Sequence, residues 1–138
     1  MYKYVLILFC AAMLVACDKK EPSDCGRLIC TQEFRMILFN FTDKDGRGVP
    51  VKNYSAINQR TGEVIKTTGG ATIDLSTGTF IVIDDSSLKQ LSAEGDDIKV
   101  TATYEATGQT KSAILKVSGG KCACHIQKIS GPETIAFD

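Results

Sequence analysis

The sequence predicts an all-β protein, a single antiparallel β-sandwich of seven to nine strands, preceded by a signal peptide and a short tether. Three observations predict it. Glycines and Asn/Asp pairs punctuate the chain every 8 to 15 residues. The runs between them are rich in Val, Ile, Thr, Phe and Tyr, the residues that suit a pleated, half-buried surface. No segment after the first 16 residues sustains a helical period.

The first strand expected is Phe34–Phe41 ("FRMILFNF"), apolar on both faces as a central strand would be. "TDKDGRGVP" then turns the chain, with Gly46 and Gly48 free to take positive φ and Pro50 opening the next segment. Val51–Asn58 and Glu63–Thr67 read as a pair joined by "QRTG". Ala71, Ile73 and Leu75 alternate with Thr72 and Asp74 after Gly69-Gly70. "GTFIVIDD" is a further apolar run, and "SSLKQL" suits one helical turn capped by Ser86 or Asp85. In 98–105, Ile98, Val100, Ala102 and Tyr104 share one face and Lys99, Thr101, Thr103 and Glu105 the other. A strand buried on one side needs that period of two. Strands over Lys111–Val117, Cys122–Lys128 and Glu133–Phe137 complete the set.

The N-terminus predicts a compartment. Lys3 precedes an apolar run from Val5 to Val15, too short to span a bilayer and shaped like the core of a secretory signal peptide. Leu14-Val15-Ala16-Cys17 resembles the bacterial lipobox. That resemblance implies cleavage before Cys17 and diacylation of its thiol, a durable anchor because it carries more than one acyl chain. The charged "DKKEPSD" behind it has no apolar residue and reads as a tether over 17–24, leaving 25–138 as the folded domain. Without residues 1–16 the chain has 122 residues, with 15 basic and 16 acidic side chains. One domain with one core fits that length, and a near-neutral surface gives no nucleic-acid footprint. Tryptophan is absent, which weakens any case for a sugar-stacking platform.

Besides Cys17, the cysteines that remain once Cys10 has left with the signal peptide are Cys25, Cys30, Cys122 and Cys124. In an exported domain an even set of cysteines reads as disulfides. A Cys-x-x-Cys redox motif is absent, and one residue between paired cysteines is unusual for zinc. In an extended strand Cys122 and Cys124 share the core face with Ile126, while His125 turns the other way with Gln127 and has no partner legible in the sequence. A bridge within Cys122-Ala123-Cys124 would strain a very small ring, so both bridges are expected to join the N-terminal pair to the C-terminal pair. Which of the two crossed connectivities forms stays open.

Other constellations carry less. "DKDGRG" opens like a calcium loop, but its twelfth position is Tyr54 rather than glutamate, and Asx-turn chemistry accounts for it. Asp84-Asp85 and Asp96-Asp97 read as solvated turn residues. No G-x-S-x-G or H-E-x-x-H pattern is present to give His125 a catalytic setting.

The runs "CTQEFRMILFNFTDKDGRGVPV", "GTFIVIDD" and "CACHIQKISGPETI" resemble small envelope lipoproteins of Bacteroidetes. The "D-x-D-G-x-G-V-P-V" portion is similar to the opening of transthyretin-like and carboxypeptidase-regulatory-like sandwiches. The resemblance implies an immunoglobulin-like or transthyretin-like sandwich in the bacterial envelope, with the outer membrane favoured, and it carries over no catalytic residue. The expected job is non-catalytic binding or assembly at the membrane, with an envelope protein as candidate partner and no cofactor or metal. The alternatives are a small metal-dependent or carboxylate hydrolase using His125 and acidic loops, and a fibre or complex subunit joined by strand addition at "PETIAFD".

Overall fold

The computed structural model describes residues 25–67 and 75–138. The signal peptide, Cys17, the tether and the expected alternation at Ala71 and Ile73 lie outside the described residues. Among the described residues there are seven strands: β1 (Met36–Thr42), β2 (Val51–Asn58), β3 (Thr79–Asp84), β4 (Asp96–Tyr104), β5 (Thr110–Ser118), β6 (Gln127–Ser130) and β7 (Thr134–Ala136). They form two sheets, ordered β3-β1-β7 and β2-β4-β5-β6, that enclose one apolar core. The all-β sandwich read from the sequence is the fold.

Periodicity explains the best-placed strands. In β4, Ile98, Val100 and Ala102 are fully buried while Lys99 is exposed. Leu115 and Val117 of β5 alternate with outward Ile114 and Lys116, in register with Lys99 and Asp97. β1 is central in its sheet, as expected, yet only one of its faces is buried. Phe39 and Phe41 point inward with no exposed surface, whereas Leu38 stands 40 % exposed on the outer face.

Two departures from the sequence reading concern strand extent. Glu63–Thr67 forms no full strand, because pairing stops after one isolated bridge between Ile57 and Val64. The segment expected as a strand from Cys122 begins only at Gln127, since Lys121-Cys122 forms a turn after Gly120, whose φ is +98°. A third departure is the parallel pairing of β7 with β1 in an otherwise antiparallel sandwich. β6 and β7 run in the same direction, and the chain switches sheets between them at Gly131 (φ +103°). It therefore arrives beside β1 already travelling with it.

The sandwich has two distinct ends. One gathers the starts of β1, β4 and β6, the ends of β3 and β5, and a 3-10 helix, Asp85–Gln90. The other gathers the turns after β1 and β4 and the C-terminus, where the Gln109 side chain bonds Asp138. An aromatic cluster fills the core towards this second end. Phe41 packs against Tyr54, Phe80 and Phe137 with ring centroids 5.5 to 6.2 Å apart. Burial pushes the Tyr54 hydroxyl up to about 12.

Candidate functional site: the bridged end

The residues singled out in the sequence meet at the first end. The segment 25–35 runs there without regular structure, over the start of β6 and the 3-10 helix. Two disulfides hold it: Cys25–Cys122 and Cys30–Cys124, with Cα–Cα distances of 5.1 and 5.3 Å. The crossed class expected from strain is the one formed, in the ordered pairing of first with third and second with fourth. The cysteines are not on a core face, however. Cys122 is exposed and Cys124 half-buried, because the chain is turning there rather than extended. Ile126 alone of that trio is in the core, 2 % exposed. With all four thiols in bridges they are unavailable as thiolate ligands, which overturns any metal site built on them. Among the described residues, no group of three or more His, Cys, Asp or Glu is placed to hold a metal ion.

His125 corrects the reading that gave it no partner. Its Nδ1 lies 2.7 Å from Asp85 Oδ2 and its Nε2 lies 3.0 Å from Thr31 Oγ1. Both side chains of the His125–Asp85 contact are shielded, with exposures of 10 % for His125 and 11 % for Asp85. Asp85 also accepts from the Arg35 amide at 2.8 Å and the Ile126 amide at 2.9 Å. Burial pushes its carboxyl up, but the Arg35 amide, His125 and the Ile126 amide outweigh that and hold it below the usual range. Asp85 is thus a carboxylate, so Nδ1–H donates to it, and in the neutral imidazole Nε2 accepts from the Thr31 hydroxyl. One carboxylate joins the 25–35 segment, the 3-10 helix and the entry to β6.

Asp84 and Asp96 are likewise buried, not solvated. Asp84 caps the 3-10 helix, in place of the Ser86 or Asp85 expected, by accepting from the Ser86 amide at 3.0 Å. Asp96 receives the Arg60 guanidinium on both oxygens, at 2.7 and 2.8 Å, and the Asn58 amide at 2.8 Å. Arg60, Asn58 and Ser92, outweighing burial, hold its carboxyl far below the usual range. Arg60 also donates to the Gln90 carbonyl at 2.9 Å, so this pair fastens the 3-10 helix to β4. Sequence reasoning missed the pairing of Arg60 with Asp96, of Asp85 with His125 and of Thr31 with His125 because these partners lie 36, 40 and 94 residues apart.

At the opposite end, Asp43 behaves as expected of an Asx turn. Its Oδ1 accepts from the amides of Asp45 and Arg47, each at 2.9 Å. Among the described residues no helix is long and apolar enough to cross a membrane. Compared with known proteins, the chain matches no protein-family model, no curated protein and no solved structure.

Proposed function

We propose that the protein is a lipid-anchored component of the bacterial cell envelope, in the outer membrane, whose sandwich serves as a non-catalytic binding or assembly module. The observation that carries this reading is the double bridge. Two disulfides that clamp the segment nearest the anchor belong to an oxidising compartment. The lipobox-like Leu14–Cys17 and the seven-residue tether supply the anchor that such a compartment allows. The test is Cys17→Ser in the full chain. Fatty-acid labelling and sedimentation with membranes should both be lost, and unchanged membrane association would end the anchored reading.

One observation favours a hydrolase as a second reading: Thr31, His125 and Asp85 form a hydroxyl–imidazole–carboxylate relay of the kind used in acyl transfer. We assign the relay a mechanical role, because Thr31 ties the 25–35 segment to His125 beside the disulfides and Asp85 holds His125 in place. His125→Gln should therefore leave any binding activity intact. Loss of an esterase or amidase activity in that variant, with an unchanged far-UV spectrum, would favour the hydrolase. Strand addition at "PETIAFD" is opposed by Lys111, whose Nζ donates to the Ala136 carbonyl at 2.7 Å on the side of β7 away from β1.

A further inference from the structure

The two bridges pin both ends of the chain between Cys25 and Cys30. Cys122 and Cys124 are two peptide steps apart, a span of at most about 7 Å. Cys25 and Cys30 are each fixed within 5.3 Å of one of them, Cα to Cα. Five steps separate Cys25 from Cys30, enough to reach about 17 Å when extended. The bridges alone allow that full span, and the loop they enclose, residues 26–30, lies exposed at the surface. Leu28 and Ile29 ride on this loop, and they are 47 % and 94 % exposed. Single exposed aliphatic residues are ordinary on protein surfaces. An adjacent exposed pair on a loop clamped covalently at both ends is a presented apolar tip.

A second observation points the same way. Beside Cys122 lies a cleft of about 600 Å³ lined by Lys89, Lys121 and Arg60, with Glu94 as its only acidic residue. Lys89 and Lys121 are exposed, as is Arg27 next to the tip. Apolar side chains at a tip with cations behind them are the arrangement that enters the boundary of an anionic bilayer. The tether decides which surface this end meets. Eight steps from Cys17 to Cys25 reach at most about 28 Å, so an anchored molecule holds this end, and not the opposite one, against its own membrane.

We infer that the Cys25–Cys30 loop is a membrane-docking tip: Leu28 and Ile29 enter the acyl boundary of the membrane that holds the anchor, and Arg27 and Lys89 face its anionic headgroups. This rests on the anchored reading above, and it adds an orientation, with the bridged end down and the turn end outward. Because the chain has no tryptophan, a single introduced indole reports position without interference. The experiment uses full-length precursor processed in cells, purified with its acyl chains, and placed in phosphatidylethanolamine–phosphatidylglycerol vesicles with brominated acyl chains. Emission from Ile29→Trp should be blue-shifted and quenched about threefold or more relative to Ala106→Trp in the β4–β5 turn. Arg27→Glu and Lys89→Glu in the Ile29→Trp background should each weaken insertion about fivefold in these vesicles and leave it unchanged in phosphatidylcholine vesicles. Equal quenching at positions 29 and 106 in protein that carries fatty acid would overturn the docking tip and leave the anchor standing. Absence of fatty acid on Cys17 would overturn both.

Discussion

The two ends of this sandwich are held by different chemistry. At the bridged end, two disulfides, a shielded His125–Asp85 contact and the Arg60 pair with buried Asp96 fasten irregular chain to the sheets. At the turn end, the backbone itself is regular and its core is aromatic, with Phe41, Phe80 and Phe137 packed between the sheets. Close backbone approach does the remaining work there. A Cβ on Gly48 would run into the Thr77 carbonyl, and one on Gly78 would meet the Phe41 carbonyl at a φ of +81°. The difference teaches that irregular chain needs specific partners, whereas paired strands need mainly a filled core. A segment such as 25–35 buries too little apolar surface to offset its own ordering.

The largest effect should come from removing the bridges, and it should not be additive. Either bridge alone still ties the start of the domain to its end, closing a loop of more than 90 residues. With one intact, the other closes only about nine further residues. In the chain-entropy relation the second closure contributes about 2–3 kcal/mol, against about 4–5 kcal/mol for the first. Replacing Cys25 and Cys122 by alanine should thus cost about 2–3 kcal/mol, and replacing all four cysteines about 7 kcal/mol. Urea unfolding of the single-pair and double-pair variants measures both. Equal and additive losses would show that the bridges act independently, through local strain or solvation.

Phe41→Ala tests the other end. Its ring contacts Phe39, Tyr54, Phe80 and Phe137 and has no exposed surface. The cavity should cost about 3–5 kcal/mol. Hydrogen exchange should speed up first in β1 and β7 near the turn end, with the Ile126 amide still protected by Asp85. A uniform loss of protection would mean that the two ends are one cooperative unit.

Acid should act mainly on the bridged end. Asp96 titrates near about 3.9 in the unfolded chain and well below that when folded, because Arg60 and Asn58 bond its charged form. The folded state therefore binds fewer protons, and this contribution is complete above about pH 5 and fades as pH falls towards the folded value. Asp96→Asn leaves Arg60 without its counter-charge and sets the new amide against the Asn58 amide. Arg60 is half exposed and can reach water, which places the loss at about 2 kcal/mol at neutral pH rather than higher. The gap between variant and wild type should narrow by pH 3. A gap that is the same at both values would remove Asp96 from the acid response.

How much of this was legible follows from sequence distance. The period of two in Ile98–Tyr104 and the glycine-marked turns are local signals, and β4, β5 and the Asp43 turn lie where those signals put them. The crossed class of disulfides was legible too, because ring strain is a local property of Cys122-Ala123-Cys124. Its consequence was not. Extended geometry placed both cysteines on a core face, yet the turn after Gly120 puts Cys122 at the surface. Asp85 and Asp96 looked solvated because nothing within a few residues reveals His125 or Arg60 as their partners. The direction of β7 was likewise hidden, since it depends on the chain changing sheets at Gly131 rather than on any pattern in "ETIAF".

The smallest energetic effect should sit on the edge of the sandwich at the turn end. Lys111 reaches from β5 to the Ala136 carbonyl, lies 3.0 Å from Asp138, and stands over the Phe137 ring at 5.9 Å. Asp138 is largely exposed, so the ion pair is screened and Lys111→Met should change stability by no more than about 0.5 kcal/mol. The carbonyl it occupies faces away from β1, in the position where an added strand would bond. Charge on an edge keeps such a strand off. The variant should therefore unfold almost as the parent does while gaining concentration-dependent self-association in sedimentation velocity. An unchanged monomer would show that the three-residue length of β7 is enough to protect this edge, and that Lys111 serves only to hold the C-terminus.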